Sequence, residues 1–300
     1  MNTAIRRIRE RVLMRTFWNR NISSNNRIRV VGSILIAVFI FLITAWSSET
    51  SAIASDLAKW PSEAGSQLQF SGKLRADMTN AKDGYFLAAL TAPSNHKMKM
   101  RVQKGDVTLT YDLNQKGDFE VFPLQLGSGH YDILLYENVS GKKYSQAGYL
   151  GLDVTLTRED AAFYYPNQYV DYDLVSKAVA KADELCEGKS SLEIYEILCD
   201  FMKTSFVYDY VKAATVKAGQ LPDIDGSYDK KMGVCQDLSA IFCCMLRTQG
   251  LPARLIIGYA DKQYHAWTVT EINGKEYFFD PTAALNAISS IKEYSVERYY

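Results

Sequence analysis

The sequence predicts an α+β protein in which a small all-β sandwich (residues 67–157) precedes a core of helices and antiparallel sheet (residues 171–300), both behind an N-terminal transmembrane helix. Three observations predict it. An arginine-rich head runs into a charge-free apolar stretch. The middle third alternates apolar and polar residues with a period of two. The last third changes to helical spacing and then to a hairpin. With 300 residues, 47% of them apolar and 23% charged, the chain is long enough for two ordinary cores.

The leader divides into a basic head (1–29), a span (30–46) and a Ser/Ala-rich linker (47–66). The head carries eight arginines and one acid, Glu10. Taking these from 34 basic and 34 acidic residues leaves 26 and 33, so the zero net charge hides a body of −7. That balance speaks against a nucleic-acid partner. Val30–Trp46 is 17 residues without charge or proline, at the short end for a membrane-spanning helix. Arginines before it hold the N-terminus inside, so the rest of the chain is expected outside the cell membrane. Two readings stay open: a single-pass signal anchor, or a secretory leader cut after Ala52-Ile53-Ala54.

In the β region, Met98, Met100 and Val102 alternate with basic residues, and Val107, Leu109 and Tyr111 with Thr and Asp. Turn signals separate the runs at Gly105, Gly117, Gly127-Ser128-Gly129 and Gly141. His96 and His130 sit beside turns and read as surface histidines. Around Tyr164-Tyr165-Pro166-Asn167 lies the expected joint. Helical spacing then covers 171–187, with Asp171 as a cap, and 191–208, where Ser190 or Ser191 and Glu193 form a capping box.

The chemistry concentrates between Lys230 and Ala283. Gly233-Val234-Cys235-Gln236-Asp237 opens a helix that ends at Gly250, just before Pro252. Cys235 at a helix N-terminus has free N–H groups and the positive end of the macrodipole beside it, which favour an anionic sulfur and a developing oxyanion. Strands follow at 253–260, 264–272 and 275–282, the last two joined by Asn273-Gly274. With those two residues as the loop, paired numbers sum to 547. Trp267 then faces Asp280 and His265 faces Thr282, so His265 and Asp280 are diagonal neighbours on one face. Asp280 can orient His265, whose other ring nitrogen is left for Cys235: a nucleophile, a base and an orienter.

GVCQDLSA, YHAWTVTEING and YFFDPT, in this order, resemble the core of the transglutaminase-like superfamily, which has a papain-like cysteine fold. Pro222-Asp223-Ile224-Asp225 is similar to a stretch before the cysteine in bacterial-type members. The resemblance implies Cys235 as nucleophile, His265 as general base and Asp280 as orienter. No cofactor and no metal are expected: the mechanism needs none, no C-x-x-C occurs, and two of the three histidines lie in the β region. An upstream aromatic can donate to the oxyanion in this family. Tyr208 is either that group or a core residue, and Trp267 of the HAW pattern shields or packs the imidazole. The family holds cross-linking transferases, peptidases and inactive members.

Five cysteines (Cys186, Cys199, Cys235, Cys243, Cys244) leave at least one unpaired. A Cys186–Cys199 bridge and a set of buried thiols are both open. Function divides two ways. The first is thiol acyl transfer on a protein or peptide amide, to water or to an amine. The second is a binding or scaffolding protein whose papain-like domain is a relic. In either, the sandwich can bind a partner or cover the cleft.

Overall fold

The β region assembles from its alternation. Its strands are β1 (Leu68–Ser71), β2 (Leu74–Asp77), β3 (Tyr85–Leu90), β4 (Met98–Lys104), β5 (Val107–Leu113), β6 (Glu120–Pro123), β7 (Gly129–Ser140) and β8 (Lys143–Val154). They form two antiparallel sheets, ordered β1-β2-β3-β6 and β5-β4-β7-β8. Met98, Met100 and Val102 of β4 point into the core, and Lys99, Arg101 and Gln103 do not. Leu109, Tyr111 and Leu113 of β5 do the same between exposed Thr and Asp residues. Each such side chain contributes about 1.5–3 kcal/mol on burial. Tyr111 meets Phe122 of the other sheet edge to face, centroids 5.6 Å apart, so the two inner faces pack on each other.

This computed structural model describes residues 58–62, 65–217, 219–286, 291 and 293–300. The basic head, the apolar stretch 30–46 and the site after Ala54 lie outside them. Among the described residues no helix is long and apolar enough to cross a membrane.

The second half contains α1 (Lys177–Cys186), α2 (Ser191–Ser205), β9 (Val207–Tyr208), α3 (Tyr210–Thr215), α4 (Ile224–Lys230), β10 (Met232–Gly233) and α5 (Cys235–Thr248). After these come β11 (Ala253–Ala260), β12 (Gln263–Ile272), β13 (Lys275–Phe279), α6 (Pro281–Leu285) and β14 (Tyr294–Tyr299). An antiparallel sheet ordered β13-β12-β11-β14 packs against α5, which is buried from Asp237 to Thr248. Helix α2 has the expected capping box, Glu193 Oε2 accepting from the Ser190 N–H at 2.9 Å.

Three boundaries differ from expectation. Helix α1 starts at Lys177, not near Asp171: the Asp173 carboxylate accepts from the Val175 N–H at 2.9 Å and makes a turn that leaves Leu174 and Val175 exposed. Helix α2 stops at Ser205, because Val207 and Tyr208 pair in parallel with Met232 and Gly233. Strand β13 stops at Phe279, because Pro281 opens α6 and Asp280 becomes its N-cap.

Sandwich and core meet at the C-terminal strand, and Ala52–Tyr300 is one compact unit. Tyr300 stacks on Tyr169 at 3.5 Å and stands edge-on to Tyr111 at 5.8 Å. The Gln125 amide donates to the Tyr299 carbonyl. Arg247, fully buried in α5, donates to the carbonyls of Ala253 (2.9 and 2.7 Å), Tyr165 (2.6 Å) and Tyr300 (3.0 Å). One guanidinium thereby joins the helix, the joint and the sheet.

Candidate active site

The site is built outward from the first turn of α5. The parallel pair β9/β10 sets Tyr208 opposite Gly233, two residues before Cys235. Gly233 is required by packing: a Cβ there would lie 2.9 Å from the Asp237 Cβ. Asp237, fully buried, accepts from the Val234 N–H (3.0 Å), the Asp223 N–H (3.0 Å) and Lys212 Nζ (2.7 Å). Its carboxylate therefore closes the helix start and ties down the loop before α4. The Gln236 amide donates to the Gln220 carbonyl at 3.0 Å, a second tie on that loop.

All five cysteines are free thiols, so the Cys186–Cys199 bridge is not made, and of the five Cys235 alone is not buried. Burial pushes the Cys186 and Cys199 thiols up to about 12 and Cys243 up to about 11, and it pushes Cys244 up as well. Those four are held as neutral thiols at any physiological pH.

The β12–β13 hairpin has the predicted register. Ile272 pairs with Lys275 and Thr268 with Phe279, across Asn273 (φ 53°) and Gly274 (φ 76°). Asp280 lies one residue past this ladder. Its Oδ1 accepts from the Ala283 N–H at 2.9 Å, and its Oδ2 is 2.7 Å from Nε2 of His265. A helix cap, not a strand diagonal, thus delivers the carboxylate. With Nε2 engaged, Nδ1 is the nitrogen left for Cys235.

The charges reinforce one another. Burial pulls His265 down, but the hydrogen bonds to Asp280 and Cys235 and the negative charge of both push it up to about 9. Burial pushes Asp280 up; the hydrogen bond and charge of His265, the Ala283 N–H and the Tyr294 hydroxyl outweigh that and hold it below the usual carboxylate range. Both members of the pair are buried.

Around this pair, Trp267 is buried with its ring tilted 26° from the His265 plane, centroids 6.4 Å apart. Tyr208 is pushed up to about 12 by burial and then by the nearby Cys235 charge, so its hydroxyl stays a donor. A cleft of about 920 Å³ opens beside His265, with Tyr208, Tyr210, Gln263, Thr282 and Asn286 among its walls; no described sandwich residue lines it. Among these the Tyr210 hydroxyl donates to Asn286 Oδ1 at 3.1 Å. Among the described residues no group of three His, Cys, Asp or Glu side chains could hold a metal. His96 and His130 are on the sandwich surface, the latter bonded through Nδ1 to Asp153 at 2.7 Å.

Sequence reasoning missed Tyr294. Its hydroxyl donates to Asp280 Oδ2 at 2.9 Å and its ring meets Trp267 edge-on at 5.0 Å. No local pattern marks it, because it arrives through pairing of β14 with β11. Gly258 of β11 permits that pairing: a Cβ there would come 2.0 Å from the Ser295 carbonyl oxygen, where the ladder shifts register.

Residues 161–281 match the model of the transglutaminase-like superfamily, and the chain carries a transglutaminase-like domain over that range. No curated protein matches the chain in sequence. Several solved structures match. One is a candidate cysteine protease from Cytophaga hutchinsonii, at 16% identity and TM-score 0.35, over 72% of this chain and 83% of that one. Another is a candidate protease from Parabacteroides distasonis, at 14% and 0.32, over 65% and 37%. A third is red sea bream transglutaminase, at 13% and 0.29, over 76% and 51%. This chain spans about a third to a half of the last two.

Proposed function

We propose that the transglutaminase-like domain performs thiol acyl transfer on protein or peptide amides, with Cys235 as nucleophile, His265 as general base and Asp280 as its orienter. The observation that carries this reading is the buried His265–Asp280 pair at 2.7 Å, with Cys235 at the first turn of α5 as the second partner of the imidazole. His265 Nδ1 takes the thiol proton and the sulfur attacks the amide carbonyl. The oxyanion meets N–H groups of the first helical turn, which have no intrahelical acceptor, and the Tyr208 hydroxyl. The imidazolium returns the proton to the leaving amine, leaving a thioester. Water then releases an acid, as in a peptidase or amidase, or a primary amine forms a new amide, as in a cross-linking transferase. Trp267 shields the His265–Asp280 bond.

The reading extends to location. Eight arginines before a charge-free, largely apolar run of 17 residues support a single-pass membrane protein with this domain outside the cell, or a secreted one if cut after Ala54, and the likeness of Pro222-Asp223-Ile224-Asp225 to a stretch before the cysteine in bacterial-type members supports a bacterial-type one. The sandwich then meets a partner or the substrate.

The test is the alkylation rate of Cys235 against pH, with the site assigned by mass spectrometry, in the wild type, His265→Ala and Asp280→Asn. Reaction near neutral pH falls at least tenfold in His265→Ala, and its alkaline limb lies near 9 in the wild type. Rates indifferent to His265 would sink the triad and leave a binding domain. Hydrolysis of a denatured protein, with and without a fluorescent primary amine, then distinguishes water from amine as acceptor.

A further inference from the structure

One oxygen of Asp280 serves two donors. Oδ2 takes His265 Nε2 at 2.7 Å and the Tyr294 hydroxyl at 2.9 Å, while Oδ1 takes the Ala283 N–H at 2.9 Å. We propose that Tyr294 is a positioning residue of this site: by sharing Asp280 Oδ2 with His265, its hydroxyl fixes the carboxylate and limits how tightly that carboxylate holds the imidazolium. Its part in catalysis rests on the function proposed above; its effect on His265 does not.

Three features support the assignment. The hydroxyl is a permanent donor. Burial, then the hydrogen bond and charge of Asp280, then the charge of Asp261, all push Tyr294 up, so it does not ionise near neutral pH. The ring is held independently of the hydroxyl, edge-on to Trp267 (5.0 Å) and to Phe278 (4.8 Å). The backbone is pinned on both sides. Glu293 exchanges hydrogen bonds with Asp261 in the β11–β12 turn (2.8 and 3.1 Å), and the far end of β14 is held by Gln125 and Arg247. Charged and titratable groups around the hydroxyl are thus Asp280 from the α6 cap, His265 from β12, Asp261 from the turn and, through His265, Cys235 from α5.

The sign follows from the shared oxygen. A donated hydroxyl proton withdraws charge from Oδ2 and weakens its hold on the imidazolium. Tyr294→Phe keeps the ring and removes that donor, so the carboxylate pulls harder and His265 keeps its proton to higher pH. The expected shift is upward by roughly half to one pH unit, the worth of one lost hydrogen bond to a carboxylate. A purely structural tyrosine would lower stability without moving this midpoint in a set direction.

The experiment is an NMR titration of the imidazoles in the full-length chain, kept in mild detergent. Only three histidines exist, so His96→Gln and His130→Gln identify the His265 signal. Tyr294→Phe moves its midpoint up. Site-specific 3-fluorotyrosine at 294, a stronger donor of the same shape, moves it down and serves if the phenylalanine variant folds poorly. A midpoint unmoved, or moved in the opposite sense, overturns the proposal. The titration needs no turnover, so a failed alkylation test would remove the catalytic reading while this answer still stands. If both hold, the alkaline limb of Cys235 alkylation shifts with the midpoint.

Discussion

His265 is where opposing forces can be weighed. Burial alone would leave the imidazole neutral, yet the hydrogen bonds to Asp280 and Cys235, and then the charge beside them, bring it to about 9. A histidine whose folded value exceeds its unfolded 6.5 stabilises the fold fully below about 6.5 and loses that contribution as pH rises through about 9. Asp280 has the opposite sign: its contribution is present above the ordinary carboxylate value of 3.8 and is lost as pH falls below it. The part of the stability that His265 contributes should therefore fall by roughly 3 kcal/mol between about pH 6.5 and 9. Urea unfolding at half-unit steps checks this as the difference between wild type and His265→Gln, because the four buried thiols contribute alike in both proteins. A wild-type curve parallel to the variant's would show that the pair is not held as described. At this scale the nearness of His265 to Asp280 was legible in sequence and Tyr294 was not, because its neighbours in sequence say nothing of its neighbours in space.

Among the elements, α5 depends most on one side chain. Asp237 reads as an ordinary first-turn carboxylate, favourable by charge. In the fold it is fully buried, with two N–H groups and Lys212 Nζ around it. Removing its charge leaves Lys212, which is mostly buried, without its counter-ion and frees the loop before α4. Asp237→Asn should cost about 3–5 kcal/mol in denaturant unfolding and reduce Cys235 alkylation more than Tyr264→Phe, a surface change on the sheet. A loss below about 1 kcal/mol would mean that the ion pair is dispensable. Asn273-Gly274 was enough to set the hairpin register, because both residues tolerate positive φ and a one-residue slip would turn Trp267 outward. The end of β13 was not foreseen. Periodicity continues through Asp280, and the cost of a proline in the ladder decides the matter.

For the whole molecule, the C-terminal strand links what the sequence presents as separate parts. Sandwich residues Gln125 and Tyr111 hold Tyr299 and Tyr300, Arg247 holds Tyr300 from the core, and Tyr294 at the other end of the same strand reaches Asp280. The unit Ala52–Tyr300 should then unfold in one calorimetric transition, and Arg247→Met, which leaves carbonyl oxygens of three residues short of a donor, should lower the midpoint of the entire transition. Two resolved transitions in the wild type would show that the strand does not couple the parts.

By itself the sequence determined the period-two strands, the helix opening at Cys235, the hairpin register and the nearness of His265 to Asp280. All of these follow from local turn chemistry and from the alternation of faces. Only the tertiary structure decided that Asp280 arrives as a helix cap, that Asp237 is buried, that Arg247 spans three elements and that Tyr294 shares the Asp280 carboxylate. Those contacts join residues far apart in the chain, through Gly258 and the strand that crosses it, and their energies depend on burial that no local pattern encodes.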